Sequence, residues 1–303
     1  VDSSTILVTG ATGAQGGSVA AHLLSSGRYT VRCLTRNPVS ERAAELKAKG
    51  AEVVAGDLAS PATIRAALKG CDGVFGVTNF WEHFDREWEH GKNLADAVAA
   101  SGIRHFIFST LGFPPGKDLP VPHIDIKAKL EEYARGLNLP ATYVHVAFYC
   151  ENFFTFFPPR RQEDGSYVFG FPQSDTPLAA VAVEDTGGVV TALFDAGEKY
   201  FGRRVGIVGD DRPPRAYAEA MSRASGRQVV YRHVPREAFA ALGFPGAEDL
   251  ANMFDLNRRL YPSRKQDLEE SRSLYPAIRT FDRWLETNAG QLRRVMDLTA
   301  GAA

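Results

Sequence analysis

Ten residues near the N-terminus constrain this chain more than any other stretch: Val8-Thr9-Gly10-Ala11-Thr12-Gly13-Ala14-Gln15-Gly16-Gly17. The apolar run Ile6-Leu7-Val8 leads in, and Ser18-Val19-Ala20-Ala21-His22-Leu23-Leu24 follows at helical spacing. A strand that breaks into glycines and reopens as a helix aims backbone N–H groups and the positive helix end at one point. Gly10 permits the tight turn, Gly13 the approach of a pyrophosphate, and Gly16 the close packing of helix on strand. The spacing is GxxGxxG, a variant of GxGxxG, with Thr12, Ala14 and Gln15 as the other contact positions of the loop. In this strand-to-helix context the turn predicts a dinucleotide site.

Behind the turn, short apolar runs alternate with helical patterns. Strands are expected at Thr30–Leu34, Glu52–Ala55, Gly73–Val77, His105–Ser109 and Thr142–Val146, and helices after Ser40, from Pro61, over 84–100 and over 123–135. Repeated βαβ units of this kind build a Rossmann-type, doubly wound parallel sheet with its ligand site at the carboxyl ends of the strands. Beyond residue 150 the rhythm changes. An aromatic run, Phe153-Phe154-Thr155-Phe156-Phe157, reads as core, and Asp164-Gly165 as a hairpin turn. Val181–Leu193 and Val205–Val208 read as returns to the main sheet, and the remainder as a smaller mixed α/β C-terminal lobe. The expected division is 1–155 for the cofactor domain, with sheet returns near 178–210, and 156–177 plus 211–303 for the smaller lobe.

The 303 residues, 44% of them hydrophobic, suffice for a large core, and a formal net charge of −1 gives no reason to expect nucleic acid or a membrane surface as partner. Three scattered cysteines without a CxxC pair argue against a disulfide framework or a zinc site. Cys150 reads as a buried, inert thiol. His83 and His90 have no third ligand, so no metal is expected. No leader-like or membrane-spanning run is evident, and a soluble cytoplasmic protein is the expectation.

The second strand ends Cys33-Leu34-Thr35-Arg36-Asn37, with no carboxylate for a ribose 2′-hydroxyl and with Arg36 where a guanidinium suits the 2′-phosphate of NADP(H). Asp57-Leu58, closing the third strand, offers either an adenine contact or a helix cap. Thr78-Asn79, Ser109-Thr110 and Ala147-Phe148-Tyr149 are the remaining strand ends. Phe148 and Tyr149 can wall a nicotinamide ring, Asn152 can bond an amide, and Phe153 adjoins them.

With these residues in place, the chain resembles the NmrA-like family of atypical short-chain dehydrogenases/reductases. The likeness rests on the glycine turn, Thr35-Arg36-Asn37-Pro38, Val77–Glu82, Tyr149-Cys150-Glu151-Asn152-Phe153 and Gly243–Phe254. It runs from about residue 4 to 290 and leans toward the branch with a vertebrate NADPH-sensing member. The resemblance implies NADP(H) in a cleft between two lobes and a monomer–dimer equilibrium. It also implies either a regulatory protein partner or a small-molecule substrate. Short-chain dehydrogenases use a Tyr and a Lys four residues apart on one helical face. Here that stretch reads His123-Ile124-Asp125-Ile126-Lys127, so the lysine is present and the tyrosine is not. Three readings stand: Lys127 binds the ribose and His123 is inert; His123 or Lys127 is a proton donor, with Ser109 as partner; or both are surface residues. The complete cofactor site beside a defective Tyr-x-x-x-Lys leads to the expectation of a redox-responsive sensor with weak or no dehydrogenase activity. The alternative is an NADPH-dependent reductase of a small carbonyl, enone or quinone.

Overall fold

The computed structural model describes residues 4–84 and 86–300. The first half alternates β1 (Ser4–Val8), α1 (Ala14–Ser26), β2 (Tyr29–Thr35), α2 (Glu41–Ala48), β3 (Glu52–Ala55), α3 (Pro61–Leu68) and β4 (Gly73–Gly76). It continues through α4 (Phe80–His83), α5 (Arg86–Ala99), β5 (His105–Thr110), α6 (Pro122–Gly136) and β6 (Ala141–Val146). The second half holds β7 (Phe148–Tyr149), α7 (Asn152–Thr155), β8 (Arg160–Arg161), β9 (Tyr167–Phe171), β10 (Leu178–Val181), α8 (Thr186–Ala196), β11 (Arg204–Ile207) and β12 (Asp210–Arg212). It ends with α9 (Pro214–Ser225), β13 (Val229–His233), α10 (Arg236–Ala240), α11 (Ala247–Leu260), α12 (Lys265–Leu274) and α13 (Phe281–Ala300).

Seven parallel strands form the main sheet in the order β11-β6-β5-β4-β1-β2-β3. Chain direction of travel reverses between β1 and β4, and this places the carboxyl ends of those two strands at the switch point where α/β sheets bind ligands. Helices cover both faces, which explains why β5 and β6 are buried at every position. Local signals set the helix ends. The Ser40 hydroxyl accepts from the Ala43 N–H at 3.3 Å to start α2. Gly27, at φ +65°, stops α1 in the left-handed conformation.

Two small sheets complete the molecule, β12-β10-β7 and β13-β9-β8. The β8–β9 hairpin turns at Gly165, φ +83°, where a hairpin was expected. The expected returns to the main sheet are half right. β11 pairs with β6, but β10 joins β7 and β12 instead. Val189 and Val190, which read as strand, lie in the buried helix α8, because a short apolar run has no periodicity to distinguish the two. The helix expected over 84–100 is α5, Arg86–Ala99, preceded by the short α4 from which Phe84, at φ +47°, separates it.

The second lobe has its own core, dominated by Phe153, Phe169, Phe171, Tyr217, Phe254, Phe281 and Trp284. Phe171 and Phe254 stack with centroids 4.5 Å apart, which fixes β9 against α11. Thus α11 is held rigidly over the main sheet's carboxyl edge.

Candidate functional site

A cavity of about 990 Å³ opens at that edge, at the upper end of the usual range for ligand pockets. Gly10, Thr12, Gly13, Ala14, Gln15, Gly16, Arg36, Asp57, Leu58, Thr78, Asn79, His123, Lys127, Tyr149 and Asn152 all line it. Of the expected site residues, Phe153 alone is elsewhere. It is fully buried in the second core, 5.4 Å centroid to centroid from Phe148, and supports that ring from behind. Among the other aromatics, Phe154 and Phe157 are buried, whereas Phe156 is 68% exposed and lines the cavity. Reading Phe156 as core is therefore corrected: the one-turn helix α7 points it outward.

The glycine turn has the shape a pyrophosphate needs. Gly10 sits at φ +59°, and a Cβ on Gly16 would lie 2.3 Å from the Gly10 carbonyl oxygen, so α1 packs directly on the turn. No side chain caps the start of α1, whose first-turn N–H groups therefore remain available to an anion. These features fit a dinucleotide.

Arg36 reaches the rim, where its Nη2 donates to Glu82 Oε1 at 2.5 Å. The Arg36 bond is the main cause holding the Glu82 carboxyl below its ordinary range. Both side chains are about half exposed, and such pairs are worth under about 1 kcal/mol. A phosphate dianion can displace that carboxylate from the guanidinium. Asp57 makes a local turn, its Oδ1 accepting from the Ala59 N–H at 2.9 Å, while still lining the cavity.

One face of α6 presents His123, Lys127 and Glu131 at intervals of four, each bonded to an acid or base from another element. Lys127 Nζ donates to Glu87 Oε1 at 2.5 Å, to the Thr78 carbonyl at 3.1 Å and to Thr78 Oγ1 at 3.2 Å. All three ammonium hydrogens are thereby engaged. Glu131 accepts from Thr110, His145, Arg135 and Arg204.

His123 is the least expected. Its Nδ1 lies 2.6 Å from Asp249 Oδ1, and its backbone N–H donates to Asp249 Oδ2 at 3.2 Å. A carboxylate only accepts, so Nδ1 carries a hydrogen and Nε2 is left as the nitrogen that gains or loses a proton. Asp249 is 126 positions away on α11, and no local pattern in the sequence links the two. Trp81 flanks the imidazole at 5.2 Å between ring centroids and packs against Gly246, which starts α11. His123 is therefore a clamped group facing the cavity and not a surface residue.

Beyond the cofactor-turn residues the cavity continues into an apolar compartment lined by Phe113, Phe148, Phe156, Phe157, Leu250 and Met253. Among the described residues no group of three or more His, Cys, Asp or Glu is placed to hold a metal ion, and no helix is long and apolar enough to cross a membrane. Cys150 is buried, which pushes its thiol well above the usual range.

The sequence model of the NmrA-like family matches residues 2–285. The NmrA-like family domain-containing oxidoreductase FrzB of Cladobotryum sp is 32% identical over 278 residues, covering 82% of each chain. The NmrA-like family domain-containing oxidoreductase cpsB of Aspergillus campestris is 31% identical over 276 residues, covering 82% of this chain and 81% of its own. Among solved structures, NmrA, a negative transcriptional regulator, crystallised in complex with NADP, superposes with TM-score 0.81 at 25% identity over 100% of this chain and 98% of its own. The expectation of a sensor with weak or no dehydrogenase activity is overturned by the first two, which are named oxidoreductases and match 82% of this chain. That expectation took the missing tyrosine as lost chemistry, but a clamped His123 stands in its place.

Proposed function

This chain belongs to the NmrA-like family, and on that premise we propose that it is an NADPH-dependent reductase of an apolar, aromatic carbonyl, enone or quinone. The observation that carries this reading is the continuation of the cavity past the cofactor turn into an apolar compartment with His123 beside it. Gly10–Gly16 would hold the pyrophosphate of NADP(H), Arg36 its 2′-phosphate, and Asp57 and Leu58 its adenine end. Thr78, Asn79, Lys127, Asn152 and the ring face of Tyr149, which a Phe would keep, would line the rest of the cofactor, with Lys127 giving up one of its present bonds to reach the ribose.

When bound, NADPH would supply the hydride for the electrophilic carbon. His123 Nε2 gives a proton to the oxygen that has received the carbonyl π electrons, and solvent restores that proton. Asp249 holds the imidazole in the tautomer this needs. The aromatic walls exclude water. Residues 1–155, with β11, form the cofactor unit, and 156–177 with 211–303 the substrate unit, in keeping with the descent of α11 onto the cavity. The likeness of Gly243–Phe254 to the vertebrate branch is within this reading a likeness of cavity wall. Self-association accompanies it as a family expectation, and a cytoplasmic setting as one drawn from composition.

The test is NADPH oxidation by purified protein with quinones, enones and aromatic ketones. Turnover on the order of 1 s⁻¹ or more supports the reading. His123→Phe abolishes it while leaving NADPH affinity near wild type; a full rate in that variant removes His123 from the mechanism.

A further inference from the structure

Three residues that the proton transfer does not use are joined in one chain across the cavity. Ser109 Oγ, at the end of β5, donates to Gln15 Oε1 at 2.7 Å, and Gln15 Nε2, in the first turn of α1, donates to the Tyr149 hydroxyl at 2.5 Å. Three separate elements thus meet at one carboxamide, and all three side chains line the cavity.

A carboxamide has an acceptor end and a donor end, and the two are not equivalent. Oε1 takes the Ser109 proton, so that hydroxyl is committed. Nε2 has no lone pair to offer, so it can meet Tyr149 only by donating to the phenolic oxygen. The Tyr149 proton therefore has no acceptor among the described residues, on a side chain whose ring is half-buried at the cavity wall. Burial is the main cause that raises the Tyr149 phenol above its ordinary range, so at neutral pH the hydroxyl keeps its proton. Gln15 also polarises that O–H, because donation to a hydroxyl oxygen makes its own hydrogen a better donor.

We propose that Tyr149 is the catalytic hydrogen-bond donor that holds the substrate's carbonyl oxygen, with Ser109 and Gln15 as the positioning residues that keep its proton directed into the cavity. The ligand class is a planar, apolar molecule that presents one carbonyl oxygen to this hydroxyl. The aromatic walls take its body and the Tyr149 hydroxyl its oxygen. Tyr149 keeps its proton throughout. Its contribution grows as the oxygen gains charge, which makes it a transition-state contact more than a binding one. The proposal rests on the reductase reading for its place in a reaction, but not for the hydrogen bond itself.

The test separates the two. Acetophenone is bound alongside NADP⁺, which has no hydride to give, and its carbonyl stretch is followed by infrared difference spectroscopy. In wild type the stretch moves to lower frequency, as it does on accepting a hydrogen bond. The shift persists in His123→Phe and is lost in Tyr149→Phe. With a turned-over substrate, Tyr149→Phe lowers kcat by about 100-fold, the scale for removing one such donor, with KM and NADPH affinity changed little. Ser109→Ala lowers kcat less, because Tyr149 retains its proton. A shift that depends on Tyr149 without turnover upholds the proposal and removes the reductase reading. Turnover with full kcat in Tyr149→Phe does the reverse. No Tyr149-dependent shift, absence of bound ketone included, overturns the proposal, and so does a larger kcat loss in Ser109→Ala than in Tyr149→Phe.

Discussion

Arg36 and Glu82 show how one side chain can be paired and still be open to a phosphate. The exposed pair is worth under about 1 kcal/mol, whereas charged hydrogen bonds to a phosphate bring about 1.5–3 kcal/mol. Arg36→Ala therefore weakens NADPH binding by about 10- to 100-fold and NADH binding little, measured by titration with each cofactor; equal losses would place the 2′-phosphate elsewhere. Glu82→Gln releases the guanidinium and tightens NADPH binding by up to about fivefold. Asp249 acts at the same scale but on the proton. Asp249→Asn keeps the packing yet lets the amide donate to Nδ1, which frees the other imidazole tautomer. The expected result is a loss of about 100-fold or more in kcat, within the range of general acid catalysis, at unchanged NADPH affinity. That Arg36 would line the cavity was legible in the sequence, because a strand end and a spacing single it out. Asp249 was not, since a partner 126 positions away leaves no periodic trace.

Elements are positioned by close approaches that leave no room. A Cβ on Gly187, in α8, would lie 2.2 Å from the Ser18 carbonyl oxygen of α1. Gly187→Ala must push the two helices apart and costs about 1–3 kcal/mol, readable from urea unfolding. Helix α6 is fixed to the sheet through Glu131. Burial pushes that carboxyl up, but the bonds from His145, Arg204 and Thr110 outweigh it and hold it well below the usual glutamate range. A folded value below the unfolded one means stability that is fully present above about pH 4.3 and is lost progressively as pH falls from there toward the folded value. Glu131→Gln is thus destabilised by about 3–5 kcal/mol at pH 7, with the gap to wild type narrowing steadily below pH 4 in acid-unfolding curves. The alternating β1–β6 half was legible because its strands and helices follow one another with capping and glycine signals such as Ser40 and Gly27. The second half was less so, because α8 and β10 are apolar without a period and their partners are set by tertiary pairing alone.

At the scale of the whole molecule, the cavity is lined from both sides, by strand ends of the main sheet and by side chains of the second lobe. The cofactor end of that cavity could be read from the turn at Gly10–Gly16. The apolar end could not, since Phe113, Phe156, Leu250 and Met253 converge only in three dimensions. Trp81 stands at this junction, 41% exposed, against His123 on one side and Gly246 on the other. Trp284, by contrast, is sealed in the second core. The consequence is optical. An indole at the cavity rim emits where reduced nicotinamide absorbs, so the chain carries its own donor for energy transfer to the ligand it binds. Titration with NADPH should quench tryptophan emission while exciting the nicotinamide, and Trp81→Phe should remove most of both changes. Because the same indole touches the imidazole, its emission should also follow the protonation of His123, giving a direct view of the proposed proton donor in solution without any substrate present.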